Sequence, residues 1–331
     1  MDRGESVQLT PEMPRKRQAR QLPRATREEL QVARRAIGRL DDTRILPVTQ
    51  WRYRWASKCF VCWCQRFGYP SAETFEELDT QLTEYMEWLW DSGFSKNEAG
   101  DAICGVQYFL RVKRKFPSTW AIFKAWTLLE QPVRAPPIPI GVLFAMVGAA
   151  YKLNLRGEAA VLLIAFACYL RTTEAITLKP SQIHIDDAAT VMIVTLPWTK
   201  SSAKRGAVDS VVTYDPDVVR LVQTLTRGWP PVAPLIPCVS RFRTVFHMLV
   251  DSVGASHLGL RFYSLRRGGA TDAFRRGVPL DSIVERGRWG DLRTARIYLN
   301  HGLQELKEQS LSPNSLRTIR GFCNELASIL H

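Results

Sequence analysis

Between about Pro47 and Leu129 the apolar positions recur with helical spacing: Trp51, Trp55, Phe60 and Trp63 fall on successive turns. Thr74 with Glu77, and Ser95 with Glu98, have the Ser/Thr-x-x-Glu spacing of capping boxes. Each opens an apolar-periodic run, Phe75 to Trp90 and then Ala99 to Leu110, and a further helix is predicted over Trp120–Leu129. The aromatic side chains are expected in a core rather than on a base-stacking surface. A short helix over Glu28–Leu40 is predicted inside an otherwise polar, Arg-rich arm, residues 1–44. Pro132, Pro136, Pro137 and Pro139 then break the pattern and mark an inter-domain linker.

Beyond the prolines the period changes. Gly141–Tyr151 and Gly157–Leu170 read as helices, whereas Thr190–Leu196 and Ala207–Tyr214 are rich in β-branched residues and read as strands flanking a turn, Pro197–Gly206. Asp215-Pro216 supplies an N-cap and first helical residue for a helix to about Leu225, and Ser240–Val250 forms another. Leu265, Ala270, Phe274, Leu280, Ile283, Val284 and Ile297 are spaced as on helices packed against a core, and Pro313–Leu330 closes the chain as an amphipathic helix. The prediction is a mainly α protein with a small antiparallel β-sheet (α+β). It has two domains, a helical one over residues 45–132 and a mixed one over residues 133–331.

Charge narrows the partner. The 331 residues are 46% hydrophobic, enough for sizeable cores, yet carry 45 Lys plus Arg against 32 Asp plus Glu, a net +13. Such an excess favours a polyanion, most simply DNA or RNA. Pro14–Arg20 (PRKRQAR) could touch phosphates, act as a nuclear import signal, or remain a solvated tail. Arg111, Lys113, Arg114 and Lys115 cluster at the end of the third predicted helix of the helical domain, where cations suit the helix dipole and would also suit a DNA backbone. Seven cysteines, an odd number, fit buried thiols in a reducing compartment better than a disulfide framework. Cys59, Cys62 and Cys64 lack a fourth ligand for zinc, so no metal is expected. The charged N-terminus has no apolar segment of a secretory signal, and no apolar run is long enough to span a bilayer.

The candidate chemistry gathers in Tyr263–Asn300, YSLRRGGATDAFRRGVPLDSIVERGRWGDLRTARIYLN. Gly268 and Gly269 follow Arg266 and Arg267 and are expected to let a nucleic-acid backbone come close. A phosphodiester attacked by the Tyr298 hydroxyl would pass through a phosphorane. Arginine binds two of its non-bridging oxygens at once, and Arg171 and Arg266 could clamp that centre. The alkoxide leaving group needs a proton, which a lysine can give, and Lys200 sits in the predicted turn. Trp289 can donate one hydrogen bond while its ring packs. The phosphotyrosine so formed conserves the bond energy, and no ATP, metal or other cofactor is needed.

These residues resemble the tyrosine recombinases, or phage integrases, over most of the chain from about residue 45. CYLRTTEAITLK, with Arg171 and Glu174, is similar to the family's first arginine box, and Lys200 in WTKSS to its hairpin lysine. YSLRRGGAT, with Arg266, resembles the second box, usually His-x-x-Arg. GRWGDLRTARIYL resembles the third, with Trp289 nine residues before Tyr298. The resemblance implies a core-binding domain and a catalytic domain closing as a clamp on double-stranded DNA, and a tetrameric synapse of protomers that are monomers in solution or already associated. It also implies a final helix docking on a neighbour, a 3′-phosphotyrosyl intermediate, and Glu174 supporting the site from behind. Lys204, Arg205 and Arg267, with the Arg111–Lys115 cluster, would then contact DNA.

One position departs from the pattern: Tyr263 stands where histidine is usual. A phenol does not accept a proton near neutral pH as imidazole does. A DNA-binding protein descended from a recombinase, and a type IB topoisomerase, stay open as readings. A metal-dependent nuclease would need clustered carboxylates, and Asp186-Asp187 is the sole adjacent pair near the turn. The expected location is the nucleus in a eukaryotic host and otherwise the cytoplasm.

Overall fold

The computed structural model describes residues 26–112, 115–131, 133–196 and 208–328. It is mainly helical with one small antiparallel sheet. The chain divides between Val133 and Arg134 into two compact units.

In the first unit, α1 (Arg27–Ile37), α2 (Pro47–Arg66), α3 (Phe75–Asp91), α4 (Lys96–Phe109) and α5 (Pro117–Leu129) follow in order. Both predicted capping boxes form: Glu77 N donates to Thr74 Oγ1 at 3.2 Å, and Ser95 N to Glu98 Oε2 at 2.9 Å. Ala56, Phe60 and Trp63 of α2 are buried with Leu82, Tyr85, Met86 and Leu89 of α3 and Ile103 of α4. Trp51 and Trp55 are not in this core. They are 51% and 59% exposed and stack on each other at 6.4 Å, because they lie on the face of α2 turned away from its buried stripe. α5 starts earlier than the apolar pattern suggests, at Pro117. Phe116 precedes it in left-handed backbone (φ 70°) and has no side-chain cap to offer. The cap comes from α3 instead. The buried Asp79 carboxylate accepts from Ser118 N and Thr119 N, each at 2.9 Å, and from the Thr119 hydroxyl at 2.7 Å. Burial pushes the Asp79 carboxyl up, but these hydrogen bonds outweigh it and hold the carboxyl below its usual range.

The second unit is built around α6 (Ile140–Lys152) and α7 (Arg156–Ala167). α7 is apolar nearly all round and packs against α6, α9 (Pro216–Thr226) and α11 (Ser264–Arg275). α8 (Thr172–Ala175) leads to a three-stranded antiparallel sheet of order β1 (Ile183–Ile185), β2 (Met192–Leu196), β3 (Asp209–Thr213). Val194 pairs with Ile183 on one side and Val211 on the other. Met192, Val194 and Leu196 face the core. β1 is a strand that the pattern did not reveal; three residues are too few to establish a period. The segment between β2 and β3 falls outside the described residues, and Lys200, Lys204 and Arg205 with it.

Asp215 caps α9 as predicted, its Oδ1 accepting from Val218 N at 3.3 Å. α10 (Val239–Ser252), α12 (Leu280–Gly287), α13 (Leu292–Arg296) and α14 (His301–Gln309) complete the frame, and α15 (Pro313–Ala327) lies along α6 of the same chain. A Cβ at Gly148 would come within 2.7 Å of the Phe322 carbonyl, so glycine allows that approach. Gly268 and Gly269 serve the same purpose and do not face a ligand. A Cβ at Gly268 would meet the Ile138 carbonyl at 2.5 Å, and one at Gly269 the Phe166 carbonyl at 2.0 Å. Both are buried in the packing of α11 on its own unit. Phe274 and Ile297, expected in the core, are 46% and 42% exposed.

Candidate active site

Three chain segments meet at Arg266. The first is the end of α7, where Tyr169 takes left-handed backbone (φ 46°) and the chain turns into Arg171, the N-cap of α8. The second is the first turn of α11. The third leaves α12 through Arg288, also left-handed (φ 52°), and runs through Trp289 to Tyr298 just past α13. Gly287 is required there: its Cβ would sit 2.1 Å from the Trp289 ring.

The Arg266 side chain is buried, 1% exposed. Its Nη1 donates to the Tyr169 carbonyl, and Nη2 to the Gly287 carbonyl at 2.6 Å. The guanidinium carbon lies 4.8 Å from the centre of the Trp289 ring and 5.3 Å from that of Tyr298. Two backbone carbonyls and two aromatic rings thus fix its plane. Burial, with Arg171 and Arg288 adding like charge, lowers the Arg266 pKa to about 10, so it stays charged at neutral pH.

Arg171 is held by Glu174. The Glu174 carboxylate accepts from Arg171 N at 2.8 Å and Arg171 Nη1 at 2.7 Å, and from Arg288 Nη2 at 2.8 Å. Glu174 and Arg288 side chains are 4% and 5% exposed; that of Arg171 is 28% exposed and reaches solvent. Tyr169 stacks on Trp289 at 6.2 Å, and Arg286 lies 5.4 Å over the Tyr169 ring.

Tyr298 lies against Trp289, ring centres 4.7 Å apart, and its hydroxyl accepts a 2.6 Å hydrogen bond from Tyr263. Burial pushes the Tyr298 phenol up. The Tyr263 hydrogen bond and the Arg266 charge, with Trp289 and Arg171 behind them, outweigh burial and bring it below its ordinary value. The Trp289 indole N–H makes no hydrogen bond of good geometry, but it is close enough to Tyr298 to favour the phenolate. Tyr263 moves the other way, up to about 12, through burial first and then through donating to Tyr298.

Arg171, Glu174, Tyr263, Arg266, Trp289 and Tyr298 therefore share one site. Of the other expected residues, Arg267 lies near the tyrosine pair on α11. Arg267 is buried, 4% exposed, and its Nε has no partner. Arg111 pairs with Asp41 at 2.9 Å, and the Lys115 ammonium lies 5.3 Å over the Phe75 ring, both in the first unit. Lys113 and Arg114, like Lys200, Lys204 and Arg205, are outside the described residues. Sequence reasoning missed Tyr169, Gly287 and Arg288. Two of these contribute backbone carbonyls, which leave no trace in residue type. Arg288 looks in sequence like one more arginine among many. Among the described residues no group of His, Cys, Asp and Glu could hold a metal ion, and no helix is long and apolar enough to cross a membrane.

Solved structures of site-specific recombinases and a transposon integrase are similar to this chain. The XerH site-specific recombinase bound to palindromic difH substrate, a post-cleavage complex, matches at 14% identity over 70% of this chain and 71% of that one (TM-score 0.49). The Tn1549 transposon integrase in complex with circular intermediate DNA matches at 12% identity, over 70% and 85% (TM-score 0.47). XerA recombinase matches at 16% identity, over 85% and 94% (TM-score 0.39). No protein-family model and no curated protein matches the chain.

Proposed function

We propose that this protein cuts and rejoins double-stranded DNA through a 3′-phosphotyrosyl intermediate on Tyr298, and so carries out site-specific recombination or integration of a mobile element. The observation that carries the reading is the meeting of Tyr298 with Arg266 and Arg171, residues 127 positions apart at the extremes of one site. In this reading Arg266, with its plane already fixed, and Arg171, which reaches solvent, bind the scissile phosphate. Crowding of Arg266 with Arg171 and Arg288 is an electrostatic cost that an incoming phosphate relieves. Donors set in place before the reaction stabilise the growing charge of the phosphorane without reorganising. Glu174 orients Arg171. Trp289 packs between Tyr169 and Tyr298 and holds the nucleophile over Arg266. Lys200 as the acid that protonates the 5′ oxygen rests on the sequence resemblance alone. So do the tetrameric synapse and the clamp of two domains, whereas DNA contacts from Arg111, Lys113, Arg114, Lys115, Lys204 and Arg205 rest on their charge and place in the sequence; Arg267, buried, is not counted among them.

The test uses nicked duplexes tiled across the DNA flanking the chain's own coding sequence, incubated with protein in EDTA. A detergent-resistant protein–DNA adduct is expected, and Tyr298→Phe should abolish it. A site-binding protein that forms no adduct would instead be a DNA-binding descendant of a recombinase. An adduct that relaxes supercoils and never exchanges strands would point to a type IB topoisomerase.

A further inference from the structure

Tyr263 and Tyr298 come from opposite sides of the site. Tyr263 is the N-cap of α11, three residues before Arg266, so one helical turn carries both the phenol and the buried guanidinium. Tyr298 arrives from beyond α13. Their rings are 5.9 Å apart and inclined at 51°, and their oxygens are at hydrogen-bond distance with Tyr263 as donor. The direction of that bond has a cause. The Tyr298 ring lies over Arg266 and against the Trp289 ring; the Arg266 charge also acts on Tyr263, but burial outweighs it there. The oxygen beside the cation is the better place for negative charge, so it accepts and its neighbour donates.

We propose that Tyr263 is a positioning residue for the nucleophile: it holds the Tyr298 oxygen by donating to it and stabilises the charge that appears there as Tyr298 loses its proton. This rests on the reading of Tyr298 as nucleophile. In the step, the bond from the Tyr298 oxygen to phosphorus forms and the bond from phosphorus to the 5′ oxygen breaks. The Tyr298 proton passes to water, the 5′ oxygen takes a proton from the lysine assigned above, and Tyr263 keeps its own throughout. An imidazole in this place would accept the nucleophile's proton. A phenol that burial pushes up to about 12 cannot. The site then activates Tyr298 by lowering the cost of its ionisation, not by removing its proton.

The charged groups around the pair are consistent with this. Arg266 and Arg267 face it from α11 and Arg171 from the turn before α8, all cationic; Glu174 is turned to Arg171 and Arg288. Among these described groups there is no imidazole, so the rate of adduct formation should climb with pH through neutrality, without the plateau near pH 6.5 that a histidine base gives.

The inference is tested on the free protein, without DNA. The nine tyrosines are labelled with carbon-13 at the ring carbon bearing oxygen, and their resonances are followed with pH. Tyr298→Phe and Tyr263→Phe assign the pair. In the unaltered chain Tyr298 should ionise at lower pH than Tyr263, and the reverse order overturns the proposal. In Tyr263→Phe, Tyr298 should ionise at clearly higher pH while the remaining tyrosines titrate as before. An unchanged Tyr298 titration overturns it too. In the adduct assay Tyr263→Phe should slow cleavage by about ten- to a hundred-fold near neutral pH, the usual worth of a hydrogen bond to a charged group. That deficit should narrow as pH rises past the Tyr298 transition. A purely structural role for Tyr263 would give a deficit independent of pH. Because the titration needs no DNA, a chain that shows the ordering but forms no adduct separates failure of the functional reading from failure of this one.

Discussion

Two layers of the second unit invite comparison. From Ala159 to Phe166, α7 presents only Ala, Val, Leu, Ile and Phe, each at most 4% exposed. Within the next eight residues the chain buries the Glu174 carboxylate against Arg288, and Arg266 and Arg267 of α11 are nearly inaccessible as well. The first layer is what folding alone favours: apolar area removed from water at about 25 cal/mol per Å². The second is expensive. Nε of Arg266, Arg267 and Arg288, and Nη1 of Arg288, are buried without a hydrogen-bond partner. Buried ion pairs seldom stabilise a fold relative to apolar packing. A chain able to make the α7 layer had no need of the arginine layer for stability, and the arginine layer is where the tyrosine pair sits.

The comparison breaks most visibly with one substitution in each layer. Arg266→Ala should reduce adduct formation by about 10²- to 10³-fold or more, since a preorganised donor to the phosphorane is lost. Leu163→Ala, in the α7 layer, should cost about 2–5 kcal/mol of unfolding free energy by leaving a cavity. Its remaining folded molecules should cleave at the original rate per active site. Equal losses of chemistry in the two variants, with active sites counted by adduct burst, would erase the distinction. Next in size is Glu174→Ala. It removes the shared partner of Arg171 and Arg288, and Arg288 is left as a buried, uncompensated charge. A loss of about 3–5 kcal/mol in denaturant unfolding is expected, together with slower adduct formation because Arg171 is no longer oriented. A stability change under 1 kcal/mol would mean that Arg288 finds another partner.

The same contrast governs what the sequence could reveal. The α7 layer was legible because apolar burial marks local composition: α6 and α7 were read from apolar runs, β2 from its β-branched residues and α15 from its amphipathic spacing. The two capping boxes and the Asp215-Pro216 start were legible because they act within four residues. Arg171, Arg266, Trp289 and Tyr298 stood out through local wording that resembles one family. What stayed hidden acts across the fold. The Tyr169 and Gly287 carbonyls that fix Arg266 belong to no side chain, and Arg288 meets Glu174 across 114 positions. Gly268 and Gly269 were misread because glycine reports closeness and not what comes close. Only the positions of Ile138 and Phe166 decide that.

A third substitution carries the comparison into the first unit, where Asp79 is a buried charge of the opposite kind: all its hydrogen bonds are made. It caps α5 from α3, so Asp79→Asn should cost about 1–3 kcal/mol, in the range of lost caps and charged hydrogen bonds. Its folded carboxyl is held below the usual value, so this stability is fully present above the unfolded pKa of about 4 and drains as pH falls through the folded one. The gap between the two chains in thermal unfolding should therefore be constant near neutrality and shrink in acid. A gap that grows in acid would assign the stabilisation to some other group.

The smallest effect is expected where charge lies wholly in water. Lys152 and Glu325 join α6 to α15 at 2.9 Å, but their side chains are 62% and 54% exposed. The helix is already held by buried Ile319 and Leu326, and by the Ser315 hydroxyl donating to the Gly254 carbonyl at 2.9 Å. Glu325→Ala should change unfolding free energy by about half a kcal/mol or less, and less still in high salt. Ile319→Ala, one turn and a half away, should cost several times more. If the surface pair proved the stronger of the two, α15 would be fastened to α6 by charge. Salt alone would then release it, which a helix seated on Gly148 and buried along two turns should resist.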